Sequence, residues 1–234
     1  MDQGKYLVGA LIMVFGAAAA GCAEHKDSQQ ATASSSSSTA AGTPTAAAPA
    51  TYDIAKVGGA KGNLPPGFEA DDIPADTVSQ DQMDAAGIGG LSTAQTTVVT
   101  PPECAAVLKP FAPVGIGARA HGFMATQGQG QHIVVVMAAQ SDKPAAPISH
   151  SGCDHFTAQS ASGVNATVEQ VPGPSIPGVP TVGHQAHVTA DGKTIEETTF
   201  TAALGDKTIV VVQGDMPAET MSDLLRKAVT ALQG

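Results

Sequence analysis

The densest run of side chains able to ligate a metal is His150-Ser151-Gly152-Cys153-Asp154-His155, and His184 with His187 forms a second pair. Imidazole, thiolate and carboxylate are the groups that zinc and copper take, which makes His150 and His155 the candidate metal residues. The spacing argues against a centre. A His-x-x-His pair in an extended segment projects its rings to opposite faces, and Cys153 cannot ligate if it is oxidised. No metal and no other cofactor is expected. His121 and His132 fall in a β-rich stretch where exposed polar positions are expected. Acyl transfer would call for a serine on a tight strand-to-helix elbow of GxSxG type. The nearest approach, Gly173-Pro174-Ser175-Ile176-Pro177-Gly178, is a proline-stiffened loop. Glu196 and Glu197 are adjacent carboxylates, but neighbours along a strand face apart and share no site. There is no phosphate-cradling glycine loop with a lysine and no dinucleotide fingerprint. No catalytic residue is nominated, and the chain is not expected to be an enzyme.

The three cysteines are Cys22, Cys104 and Cys153. Residues 1–21 have the parts of a signal peptide: a short polar start with Lys5, an apolar run from Leu7 to Ala20, and small residues before Cys22. That run is shorter than the ~20 residues needed to span a bilayer comfortably. Ala19-Ala20-Gly21-Cys22 resembles the bacterial lipobox, whose cysteine sulfur accepts a diacylglyceryl group and becomes residue one after cleavage. Ala19 stands where that motif usually has Leu, and Asp2 is unusual in a region that is normally basic. The resemblance implies a lipid anchor at Cys22, the membrane as a partner, and a location on the outer, extracytoplasmic face of the cell membrane. Each buried methylene of an acyl chain contributes about 0.8 kcal/mol, so two or three chains would hold the protein there. With Cys22 carrying lipid, Cys104 and Cys153 remain as an even pair in an oxidising compartment and are expected to form a disulfide. No CxxC spacing points to redox catalysis.

These residues need a scaffold. The 234 residues are 42% hydrophobic and 14% charged, with no Trp, which predicts a modest aliphatic core in one domain. The formal net charge of −10 is spread from Asp53 to Asp223, and no stretch carries more than two adjacent bases. Nucleic acid is therefore excluded as an expected partner. Residues 22–50 hold the candidate lipidated cysteine and a Ser/Thr/Ala-rich stretch without apolar periodicity, read as a disordered tether. Apolar patterning begins past Thr51, so residues 51–234 form the expected domain.

Within it, Leu64, Phe68 and Ile73 surround the turn Pro65-Pro66-Gly67, and residues 74–90 read as an acidic loop or a short helix around Val78 to Ala86. A Thr-rich strand over 96–100 leads into a short helix at 101–108. The clearest strands are 118–125, 131–139, 164–171, 185–189, 194–203 and 207–213, with hairpin turns at Gly128-Gln129-Gly130, Asp191-Gly192 and Gly205-Asp206. The uninterrupted runs Ile133–Met137 and Ile209–Val212 predict central strands covered on both faces. Met221, Leu224, Leu225, Ala228, Val229 and Leu232 recur at helical spacing and predict a closing helix with one buried face, opened by Pro217. The expected fold is α+β: a curved antiparallel sheet with the C-terminal helix packed across one face and one or two short helices.

With Leu64-Pro65-Pro66-Gly67-Phe68, Pro102-Glu103-Cys104, Cys153 ahead of Phe156, the lipobox, the stalk and the closing helix, the chain resembles a mycobacterial lipoprotein of an uncharacterised family. It is loosely similar to the extracellular sensor domains of mycobacterial serine/threonine kinases, which pair disulfides with a central antiparallel sheet and a cleft. Those domains generally carry two disulfides, and this chain has cysteines for one. The similarity implies binding rather than catalysis and identifies no ligand residue. The expected function is a non-catalytic cell-envelope binding module for a lipid, glycan or small molecule. The alternatives are a protein-interaction or structural envelope lipoprotein and, remotely, an envelope hydrolase. The loop from Val171 to Gly183 is a candidate binding rim or packing element, and a lipid carrier would need an apolar cavity between sheet and helix.

Overall fold

The structure, a computed structural model, describes residues 51–234 apart from 86, 88–90, 92–96, 129 and 131. The expected signal peptide, Cys22 and the expected tether lie outside the described residues. Among those described, no helix is long and apolar enough to cross a membrane. In chain order the elements are a 3-10 helix at Ile54–Asn63, β1 (Phe68–Thr77), α1 (Gln80–Ala85), β2 (Val98–Thr100), a 3-10 helix at Pro102–Ala106, β3 (Arg119–Gln127), β4 (His132–Gln140), β5 (His155–Gln159), β6 (Asn165–Val171), β7 (Thr181–Ala190), β8 (Lys193–Leu204), β9 (Thr208–Gly214) and α2 (Ala218–Gln233). The strands form a single nine-stranded sheet in the order β1-β3-β4-β9-β8-β7-β6-β5-β2, with every neighbouring pair antiparallel.

The α+β architecture follows the pattern of the sequence. The six clearest strands are present, β4 and β9 are central, and the three hairpins join consecutive antiparallel strands. Asp191 (φ 52°) and Gly192 (φ 74°) supply the two left-handed residues that a tight β7–β8 reversal needs. Two strands were not expected. Phe68–Thr77 forms edge strand β1, whose ladder slips between Ile73 and Asp76, and His155–Gln159 forms β5. Residues 74–77 therefore belong to a strand rather than to the expected loop, and β7 starts four residues earlier than its apolar pattern suggested.

One face carries α2. Val134, Val136 and Ala138 of β4, Phe200, Ala202 and Leu204 of β8, and Val210 and Val212 of β9 meet Met221, Leu224, Leu225, Ala228, Val229 and Leu232 of the helix. All of these are exposed by 4% or less, so the space between helix and sheet is filled by side chains. The 3-10 helix at Ile54–Asn63 extends this layer over β3 and β4 through Ile54, Val57 and Ala60. Asp53 caps it by accepting a bond from the Ala55 amide (3.2 Å), and Lys61 pins it to β1 through Asp72 (2.6 Å). That ammonium holds the Asp72 carboxyl below its ordinary range.

The opposite face is covered by irregular chain. Leu91, Cys104, Val107, Leu108 and Cys153 pack on Phe156, Ala158, Ala166, Val168, Ala186 and Val188 of β5, β6 and β7. Val78, Met83, Phe111, Val114 and Ala118 pack on Ala120, Ala139, Ile209 and Val211. Cys104 and Cys153 are joined by a disulfide with their Cα atoms 5.5 Å apart, which fastens two covering segments to each other. All three clusters, the disulfide and every ladder lie within residues 52–233, so this stretch carries a complete core of its own.

The expected cover on both sides of β4 is incomplete. Ile133 is 38% exposed, and Val135 and Met137 are half-buried, because the covering segment around Phe111 does not extend over the start of the strand.

Replacing Cys104 and Cys153 together by serine should lower stability by about 4 kcal/mol, the loop-closure value for a loop of this size. Urea melts of residues 51–234 with and without reductant test this, and a midpoint indifferent to reductant would contradict it.

Candidate functional site

The candidate ligands of the His150–His155 segment part company in the fold. His150 sits on a covering loop and lines a cavity of ≈20 Å³ shared with His184, Thr199, Thr201 and Pro110. His155 is on β5 with its ring exposed and 3.5 Å from Glu169. Cys153 is tied to Cys104. Among the described residues no group of three or more His, Cys, Asp or Glu side chains converges. His184 and His187 do point to opposite faces of β7: His184 is buried, and His187 is exposed beside Glu196 at 3.9 Å. Glu196 and Glu197 likewise part, the first receiving a bond from Gln185 and the second from Gln213, both at 2.6 Å. His132 is exposed and faces Asp215 at 3.3 Å. His121 departs from the surface position expected of it: it is half-buried, and its Nδ1 is buried without a hydrogen-bond partner.

His184 is an imidazole held far from its ordinary behaviour. Burial lowers its pKa to about 4, and the nearby His150 ring acts in the same direction. Across the β7–β8 ladder its partner is Thr199, whose hydroxyl is buried without a bonding partner. The ≈20 Å³ between them and the covering loop is about the room one water needs. This arrangement is a partly polar seam between sheet and cover, with Lys109 also in its lining.

A more open site lies on the face opposite α2, where the cover stops. Ile133, Val135 and Met137 of β4, Val211 and Gln213 of β9, and Ile195 and Glu197 of β8 line a groove of ≈370 Å³ with Phe111 at its wall. Its floor is placed by strand alternation, since these residues are the out-of-phase partners of those that meet α2. Its end is built from close backbone packing, because a Cβ on Gly214 would collide with the Ile133 carbonyl oxygen. The rim is polar and already bonded: Asp215 accepts from the Ile133 amide at 2.9 Å, and Gln213 donates to the Gly87 carbonyl at 3.2 Å and to Glu197. Apolar walls with a few fixed polar groups are the makeup of a small-ligand pocket. The sequence reading missed this groove, and its signal was an apolar run too long for the cover available to it. The loop between Val171 and Gly183 lies elsewhere, packing Ile176 and Val179 onto the cluster under α2.

The profile of the family described as a domain of unknown function, DUF5642, matches residues 53–233. The chain belongs to this family. The DUF5642 domain shares its fold with an X-ray structure of an uncharacterized protein from Mycobacterium smegmatis, an Rv0999 ortholog, with a TM-score of 0.61 and 22% identity over 78% of this chain and 98% of that one. It also has a likeness to the extracellular domain of PknH from Mycobacterium tuberculosis, with a TM-score of 0.43 and 10% identity over 76% of this chain and 90% of that one. No curated protein matches the chain. An uncharacterised family and a mycobacterial protein of like fold are thus the counterparts of the resemblance drawn from the sequence.

The buried His184 makes the DUF5642 domain sensitive to acid. Its unfolded state takes a proton on this ring near pH 6.5 and its folded state only near pH 4. The stability this contributes is complete above about pH 6.5 and is lost as pH falls towards 4, by up to about 3 kcal/mol. Urea midpoints of wild type and His184→Leu at pH 7 and pH 4.5 test this. The variant should lose this part of the slope, and an unchanged slope would place the acid sensitivity elsewhere.

Proposed function

We propose that the protein is a membrane-anchored, extracytoplasmic, non-catalytic binding module of the cell envelope, and that the groove opposite α2 seats the hydrocarbon part of a lipid-type ligand. The observation that carries this reading is the ≈370 Å³ groove with walls of Ile, Val and Met. Unbranched or aliphatic side chains with a methionine among them adapt to a flexible chain, and Phe111 is the one aromatic ring in the lining. Glu197 and Asp215 at the rim favour a neutral or cationic head group over an anionic one, as does the net charge of −10. The volume falls at the small end of the ~300–1,000 Å³ range of ligand pockets, so a single short chain is the fit. Anchoring through Cys22 keeps such ligands within reach of the domain.

Two variants test the seat. Ile195 is 54% exposed and Ile133 38% exposed, so Ile195→Asp and Ile133→Asp leave the core intact while placing a charge against the bound chain. Titration of residues 51–234 with the neutral apolar fluorophore N-phenyl-1-naphthylamine should give saturable binding that each variant weakens about tenfold or more. Equal binding by wild type and variants would overturn the assignment. Concentration-dependent dimerisation abolished by the same variants would assign the surface to a second copy instead.

The anchor has its own test. Intact mass of the full chain extracted from membranes of its host should show loss of residues 1–21 and added acyl mass on Cys22. Cys22→Ala should be released or left unprocessed, and wild type recovered unacylated would overturn the lipoprotein reading.

A further inference from the structure

Among the described residues, no helix covers the other half of the face that carries α2. There Thr100, Thr157 and Thr167 are register partners on β2, β5 and β6, and His187 of β7 continues the row. Gln159 and Asn165 pair one step along the same strands. These side chains line a hollow of ≈260 Å³. Thr100, Thr157, Gln159, Asn165 and His187 are exposed and Thr167 half-exposed, and of these Asn165 already donates to the Gly163 carbonyl (3.0 Å) and His187 faces Glu196 (3.9 Å).

The chemistry of the hollow selects its ligand. Its lining contains no Lys, Arg, Asp or Glu. The carboxylates of Glu169 on β6 and Glu196 on β8 are engaged, the first by His155 and the second by Gln185 and His187. An anion finds no lysine or arginine in the lining, and a hydrocarbon finds little beyond Val98. What the surface offers is hydroxyl, amide and imidazole groups on adjacent strands. These donate and accept in both directions, which suits a neutral polyhydroxylated molecule. The floor is rigid, because the reverse side of the same strands holds Phe156, Ala158, Ala166 and Val168 in the cluster clamped by the Cys104–Cys153 disulfide. A rigid array of hydrogen-bonding groups loses little freedom on binding.

We propose that this hollow is a second binding site, taking a neutral glycan, on the opposite side of the sheet from the apolar groove and independent of it. The test is titration of residues 51–234 with maltotetraose, cellotetraose and chitotetraose, with tetragalacturonate as an acidic control, followed by amide chemical shifts. At least one neutral tetrasaccharide binds and shifts amides of β5 and β6. Thr157→Val with Thr167→Val, which keeps β-branched residues on exposed positions, weakens that binding about tenfold or more. Ile195→Asp leaves it unchanged, so failure of the groove reading and failure of this one are separable. Absence of binding by all three neutral tetrasaccharides would overturn the proposal. Binding of tetragalacturonate alone, or binding indifferent to the threonine replacements, would do the same.

Discussion

A sheet of nine strands spaced ~4.8 Å apart is roughly 40 Å wide, and one helix of ~10 Å diameter covers about a quarter of one face. The organisation of the domain follows from this mismatch. On one face α2 and the 3-10 helix at Ile54–Asn63 cover β3, β4, β9 and β8. On the other face no long helix is available among the described residues, and irregular segments do the covering. Irregular chain packs less regularly than a helix and must be held in place, which is the role of the disulfide between Cys104 and Cys153. Where neither layer reaches, the sheet meets solvent. One uncovered region is apolar and the other is polar, and they lie on opposite faces.

An open sheet of this width also has two edges to protect. β1 carries Glu69, Asp71, Asp72 and Asp76, a proline at 74, and a slip in its ladder, all of which oppose pairing with another strand. β2 has only three residues and so offers little ladder. Part of the acidic character of the chain is therefore explained by edge protection, independent of any ligand. The same acids leave β1 without the alternating apolar pattern that identifies a strand in sequence.

The elements that could be read from sequence are those whose pattern is set by a single neighbour. The spacing of Met221, Leu224, Leu225, Ala228, Val229 and Leu232 needs only one flat surface to explain it, and α2 has that face buried. The runs Ile133–Met137 and Ile209–Val212 identify two neighbouring interior strands of the sheet, β4 and β9. What an apolar run does not encode is whether cover arrives on its second face. Val211 receives it from Phe111 and Val114, whereas Ile133 does not. The groove was illegible for that reason: its walls come from β4, β8 and β9, and its existence depends on where a loop around Phe111 stops. β5 was hidden by its length of five residues, and the row of Thr100, Thr157 and Thr167 read only as β-forming residues until pairing aligned them.

The position of the groove along the strands sets a requirement on the proposed anchoring through Cys22. The chain enters the domain at Tyr52, whose carbonyl accepts a bond from Gln140 at the end of β4, beside Thr208 at the start of β9. The groove lies at the other ends of these strands, at Ile133 and Gly214. The nine residues of β4 span roughly 30 Å at ~3.3 Å each. A domain anchored through Cys22 in a fixed upright pose would thus hold its groove a strand's length farther from the lipid than its point of attachment. On the proposed reading, with a membrane ligand and an anchor at Cys22, the groove would meet that ligand only if the linking chain allowed the domain to turn over. The 28 residues from Ala23 to Ala50, taken as a coil, have an end-to-end distance of about 30 Å. That length matches the strand, so under the proposed lipid anchoring at Cys22 a stretch with this reach would let the domain present either end of its sheet to the surface.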